Sequence, residues 1–92
     1  EVIAPYDYSV RVRGDSMAGV LNDGDIAFVK AQDHAAPGDL VVALVRDEAV
    51  VKRLVRRSNG LTLLRSENDH YEEIPATEVR ILGVVTGLYR RP

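Results

Sequence analysis

Cysteine is absent from the 92 residues. That absence removes disulfides, thiolate metal ligands and a cysteine nucleophile together, and it fits a reducing compartment. Tryptophan is missing and phenylalanine occurs once, so aromatics reach only 5% and Val, Leu, Ile and Ala must fill the interior. The longest apolar run, Leu40 to Val45, has six residues, against roughly 20 for a bilayer-spanning helix. There is no signal-peptide apolar core either, so no membrane partner is expected. Basic charge is in short supply: twelve Lys and Arg face fourteen Asp and Glu, a net charge of −2. Such a chain is a poor nucleic-acid binder by itself, because counterion release needs a basic face. The remaining composition, 46% hydrophobic and 28% charged, belongs to a folded domain and not to a disordered one. Its length allows a single core, so residues 1–92 are expected to form one domain. The chain opens on Glu1 instead of Met, from which a piece of a longer protein is expected.

The pattern along the chain is that of strands. Tyr8 to Arg13 alternates, with Tyr8, Val10 and Val12 opposite Ser9, Arg11 and Arg13, the period of a half-buried strand. Gly14, Asp15 and Ser16 break it, and Met17 to Leu21 is long enough for one helical turn at most. Asn22-Asp23-Gly24-Asp25 is a turn signal, after which Ile26 to Lys30 resumes a strand. Gln32 to Gly38 reads as a loop, and Asp39 to Val45 as a strand covered on both faces. Arg46-Asp47-Glu48 turns the chain into a hairpin partner, Ala49 to Arg56. Ser58-Asn59-Gly60 is a further turn, followed by Leu61 to Arg65. Ser66 to Thr77 is polar, contains Pro75 and reads as a long connection. Val79 to Tyr89 closes as one or two strands, with bends expected at Gly83 or Gly87. Short strands with close turns predict a mostly β, compact, partly closed β-sheet domain with almost no helix.

Few residues carry chemistry. His34 and His70 lie 36 positions apart in polar loops, a spacing that recommends surface histidines over a metal site. Asp23-Gly24-Asp25 lacks the later ligands of a calcium loop and reads as turn chemistry. No glycine-rich phosphate loop occurs, and no cofactor is expected. Lys52, Arg53, Arg56 and Arg57 form a basic cluster, best read as a solvated strand end facing the acidic stretch Glu67 to Glu73. Lys52 departs from that reading. It shares a strand face with Val50 and Leu54, while Val51, Arg53 and Val55 take the other. Burial disfavours an ammonium. To be half neutral at pH 7 its pKa must fall from about 10.4 to about 7, roughly 4.6 kcal/mol of differential solvation. Full burial can supply that; a strand-edge lysine with its head in water cannot, and a lone lysine more often snorkels than acts as a base. Ser16 changes the balance, because a serine presented by a sharp turn is inert until a base removes its proton. With no acid–His pair nearby, a neutral Lys52 is the available base for a Ser–Lys dyad. Gly14 would let the chain bend, and backbone N–H groups around Gly14, Asp15 and Met17 would supply an oxyanion hole.

Four stretches occur in order: Val12-Arg13-Gly14-Asp15-Ser16-Met17, Asp23-Gly24-Asp25, Gly38-Asp39-Leu40-Val41-Val42-Ala43 and Val51-Lys52-Arg53-Leu54. Together they resemble the carboxy-terminal domain of LexA-type repressors, which UmuD and the cleavable phage repressors share. The match runs from about Tyr8 to Val55, and Ile81-Leu82-Gly83-Val84-Val85 resembles the last strand of that family. The resemblance implies a β fold of the LexA and signal-peptidase type and self-cleavage with Ser16 as nucleophile and Lys52 as general base. It also implies homodimerisation, a cytoplasmic location and, for repressors of the DNA-damage (SOS) response, cleavage triggered by RecA filaments on single-stranded DNA. DNA contact would belong to an amino-terminal domain outside this chain.

The family cuts itself between small residues, usually Ala and Gly, upstream of the serine. Residues 1–15 hold no Ala-Gly pair, so the scissile segment is expected to be missing, and Ala18-Gly19 follows Ser16 too closely to reach it. Three readings follow: an autoproteolytic repressor domain (or its polymerase-accessory cousin of the UmuD kind), a repressor dimerisation module that does not cleave, and a signal peptidase. The last uses a similar serine and lysine but needs a membrane anchor, of which the sequence carries no sign.

Overall fold

A computed structural model describes residues 5–92. Its strands are β1 (Tyr8–Arg11), β2 (Ile26–Ala31), β3 (Leu40–Val45), β4 (Glu48–Arg56), β5 (Thr62–Arg65), β6 (Ile74–Pro75) and β7 (Val79–Tyr89), with a 3-10 turn at Ala76–Glu78. All pairings are antiparallel, in the order β1-β2-β7-β3-β4-β5-β6. The mostly β expectation holds: this is one antiparallel sheet, not closed into a barrel.

The long last strand sits at the centre because its two halves serve different partners. Val79 to Val84 pairs with β3, and Gly83 to Tyr89 pairs with β2. The ladders slip between Val42 and Ala43, opposite Gly83 and Ile81, and between Phe28 and Val29, opposite Gly87 and Val85. Leu82 and Thr86 are the extra residues of these bulges, each beside one of the two glycines at which bends were expected. Gly83 is also required sterically, since a Cβ there would stand 2.5 Å from Val29 Cγ1 and 2.6 Å from the Lys30 carbonyl oxygen.

The core forms on both faces. Val12, Met17, Leu21 and Ala27 make one cluster, and Val41, Ala43, Leu54 and Leu64 make the other. Three consecutive buried residues in β3, Val41 to Ala43, confirm a strand covered on both sides. β4 lies between the clusters, with Val51 against the first and Val50 against the second.

Two local expectations needed revision. The alternation of Tyr8 to Arg13 persists in burial, but the ladder stops at Arg11. The polar connection Ser66 to Thr77 is not wholly irregular: Leu64 pairs with Ile74 and Leu63 with Pro75. Proline is tolerated there because β6 is an outer strand, where a missing N–H breaks no second ladder.

Candidate active site

Between β1 and β2 the chain folds over residues 12–25 as a compact loop. Met17 and Leu21 are its anchors, 1% and 0% exposed, and the Leu21 N–H donates to the Met17 carbonyl at 2.8 Å, closing the single helical turn. Gly14 takes a positive φ of 80°, and its N–H donates to Asp23 Oδ1 at 2.7 Å. Gly14 thus makes the bend, while its own N–H is already engaged. The Ala18 N–H is engaged too, with the Asp15 carbonyl at 3.1 Å. Among the described residues the N–H groups of Asp15, Ser16 and Met17 make no hydrogen bond. Ser16 is half-buried at the crest, and its carbonyl accepts the Asn68 N–H at 2.9 Å, tying the turn to the β5–β6 connection.

Lys52 approaches from β4. It is 7% exposed, between Val50 and Leu54 on its own strand face as the alternation requires. No carboxylate lies within ion-pairing distance of it among the described residues. Nζ instead donates to Ser66 Oγ at 2.8 Å, and Ser66 is itself 3% exposed. The Tyr71 ring lies over the amine, 5.3 Å from Nζ to the centroid, and its hydroxyl donates to Asp15 Oδ1 at 2.6 Å. Burial pushes the Lys52 pKa below the usual 10.5, only partly offset by the charge of Glu48. Asp15 holds the Tyr71 phenol protonated to higher pH than usual.

Ser16, Lys52, Gly14, Asp15 and Tyr71 line one cleft of about 500 Å³, whose remaining wall is largely valine. The sequence-derived pair therefore shares a cleft, although the Lys52 amine is bonded to Ser66 and not to Ser16. Met17 enters through its backbone alone, since its side chain belongs to the core. A buried amine without an ion-pair partner, together with a serine hydroxyl and backbone donors that make no hydrogen bond among the described residues, in one valine-rich cleft, are the components of base-assisted acyl transfer.

The other candidates lie elsewhere. His34 and His70 are exposed. Arg53 bonds Glu67 Oε2 at 3.0 Å and Arg57 pairs with Glu73, so the basic cluster does face the acidic stretch. Ser66 and Tyr71 escaped the sequence reading, as did the ion pair of Asp25 with Arg90 Nη2, at 2.7 Å, beyond the turn. For Ser66 a signal existed. Leu54 pairs with Leu64 and Arg53 with Arg65, and one further step of that register sets Ser66 opposite Lys52.

Among the described residues no helix is long and apolar enough to cross a membrane. The profile of the Peptidase S24-like family matches residues 2–86. The chain is 51% identical over 86 residues to a LexA repressor of Pelotomaculum thermopropionicum, covering 91% of this chain and 41% of that protein. A LexA repressor of Caldicellulosiruptor saccharolyticus is 46% identical, with 98% and 48% covered, and one of Clostridium perfringens 44%, with 90% and 41% covered. The chain thus spans less than half the length of these relatives. With a match over nearly all of its residues, it belongs to the Peptidase S24-like family.

Proposed function

We propose that this chain is the self-cleaving serine endopeptidase domain of a LexA-like repressor, working through a Ser16–Lys52 dyad. The supporting observation is the Lys52 amine: buried, with no carboxylate at ion-pairing distance among the described residues, and in the same cleft as Ser16, whose hydroxyl makes no hydrogen bond among them. Neutral Lys52 takes the proton of Ser16 Oγ as that oxygen attacks a peptide carbonyl carbon. The oxyanion is received by the unengaged N–H groups of the turn, those of Ser16 and Met17 foremost, since Gly14 donates to Asp23. Collapse of the intermediate breaks the C–N bond, and the proton on Lys52 passes to the leaving amine. Water, deprotonated in turn by Lys52, then hydrolyses the ester. The valine-rich cleft suits a substrate with small apolar side chains, in keeping with an Ala-Gly bond in a segment upstream of Ser16.

In this reading the domain dimerises, acts in the cytoplasm within the SOS response, is triggered by RecA on single-stranded DNA, and meets operator DNA through another segment. The net charge of −2 agrees with DNA contact lying elsewhere. Dimerisation finds support in exposed aromatic side chains along β2 and β7: Tyr6, ahead of β1, packs tilted against Phe28 of β2 with ring centroids 4.7 Å apart, and Tyr89 of β7 is 52% exposed. Those same side chains favour the second reading, a dimerisation module in which cleavage plays no part.

The test mixes the chain with a supplied amino-terminal segment containing Ala-Gly. The parent should cut it at that bond, and Ser16→Ala should not, while both sediment as dimers. Equal cutting by Ser16→Ala would remove the dyad; dimers with no cutting by the parent would leave the second reading.

A further inference from the structure

Of the buried polar side chains to which the mechanism above gives no task, Asp25 is paired with Arg90, and Ser66 lies against the base. Ser66 is 3% exposed, and its hydroxyl accepts an N–H from Lys52 at 2.8 Å, the single hydrogen bond of that amine among the described residues. A neutral amine has two N–H groups and one lone pair, and only the lone pair can take a proton. Rotation about the last bond of lysine would otherwise spread that lone pair over three directions. We infer that Ser66 is a positioning residue for the base: by accepting one N–H of Lys52 it steers the lone pair into the cleft where Ser16 stands. The inference rests on the proposed role of Lys52.

The position of Ser66 gives the arrangement rigidity. The β4–β5 register continues directly onto the Lys52–Ser66 pair, and Ser66 opens the connection whose Asn68 N–H holds the Ser16 carbonyl at 2.9 Å. Base, acceptor and nucleophile turn are therefore linked through three consecutive residues of one segment. A sheet fixes such a pair far better than a free loop would.

The acceptor also affects protonation. A hydroxyl oxygen bonds an ammonium more strongly than a neutral amine, so Ser66 favours the charged form. Removing it should make Lys52 lose its proton at lower pH. The other charged or titratable groups around the cleft are Glu48 on β4, Arg11 on β1, Arg13 and Asp15 on the Ser16 turn, and Tyr71 on the β5–β6 connection. All of these are unchanged in a Ser66 variant.

Ser66→Ala, with Ser66→Cys as a size-matched partner and Ser66→Thr as the hydroxyl-retaining control, tests this by two measurements. Cutting of the supplied segment is followed against pH, and the Lys52 ε-carbon is titrated by NMR. Ser66→Ala and Ser66→Cys should lower the plateau rate by about 10- to 100-fold, while the midpoint of the acid limb moves to lower pH. Ser66→Thr should restore both. A loss of rate with an unmoved midpoint and an unmoved Lys52 titration would mean that Ser66 is merely structural, and parental behaviour throughout would equally overturn the inference. Failure of the dyad is read separately, from Ser16→Ala, and leaves the NMR titration as the measurement that decides on Ser66.

Discussion

Two buried ionisable side chains stand in different regions of this sheet, and their surroundings are opposite. Asp25, at the entrance to β2, has a side chain 4% exposed and accepts Arg90 Nε at 3.0 Å, Arg90 Nη2 at 2.7 Å and the Asn22 N–H at 2.7 Å. Lys52, on β4, is also buried but donates to one neutral hydroxyl. The Arg90 hydrogen bonds hold the Asp25 carboxyl below its usual 3.8, fixing it as an anion. Burial pushes Lys52 the other way, toward the uncharged amine. A compensated charge is a clamp, here joining the turn before β2 to the end of the chain. One with little compensation is disfavoured as an ion, and burial lowers the pH at which this amine gives up its proton.

The largest effect that would break this contrast is expected from Lys52→Met, which keeps an unbranched apolar stem as far as Cε and removes the amine. Cutting of the supplied segment should fall by about four orders of magnitude or more. Stability should hold or rise by a few degrees in Tm, because the fold no longer desolvates an amine. Thermal melts beside cleavage assays check both. A collapse of stability in Lys52→Met would mean that the amine, too, is a clamp.

Asp25→Asn should do the reverse. The carboxamide keeps the shape but loses the charge that faces Arg90, and Tm should drop on the order of 5–10 °C. Cleavage per folded molecule should stay within about twofold of the parent. A tenfold loss of cleavage without a loss of Tm would instead make Asp25 part of the machinery that holds the Ser16 turn. Hydrogen bonds connect the two, since Asp25 accepts the Asn22 N–H at 2.7 Å and Asn22 Oδ1 accepts the Gly19 N–H at 2.8 Å.

The two regions also differ in how much of them can be read from sequence. Lys52 was legible because period-two alternation is a local property: Val50 and Leu54 declare the apolar face on which it must lie. The Ser16 turn was legible from Gly14 and from the break in alternation after Arg13. Bulges beside Gly83 and Gly87 were legible as bends, because glycine in a strand interior has few other uses. Asp25–Arg90 spans 65 positions and Tyr71–Asp15 spans 56, and no periodicity encodes a meeting at that range. Asp25 looked like one more turn residue because Asp-Gly-Asp makes turns with or without an arginine. Ser66 was hidden by composition, opening a polar stretch that reads as solvated loop. Only the β4–β5 register, carried one residue past the end of β5, reveals it. The short strand Ile74–Pro75 was obscured for a related reason: proline counts against a strand except on an outer one, and strand order is settled by tertiary pairing.

A smaller and more discriminating effect lies in the pH dependence of stability. A depressed carboxylate and a depressed lysine both leave the native state with fewer protons than the unfolded chain, so both make stability rise with pH, in separate windows. For Asp25 the stabilisation is complete above the unfolded value of 3.8 and is lost as pH falls through the lower folded pKa. For Lys52 the native state is penalised at neutral pH, and the penalty fades as pH rises from the lowered folded pKa toward 10.5, where the unfolded lysine also loses its proton. Any advantage in Tm of Lys52→Met should therefore be greatest near neutrality and shrink toward pH 10.5, whereas the deficit of Asp25→Asn should shrink only below about pH 4. Tyr8, with its phenol pushed up by burial, and Asp33, with its carboxyl pulled down by His34, titrate in parent and variants alike and cancel in the differences. Tyr71 touches the Lys52 amine, so the alkaline comparison is repeated on a Tyr71→Phe background. A Lys52→Met difference that stays flat from pH 7 to 10.5 in both backgrounds would show that the amine is already protonated and solvated in the fold. The contrast with Asp25 would then dissolve, and the proposed base with it.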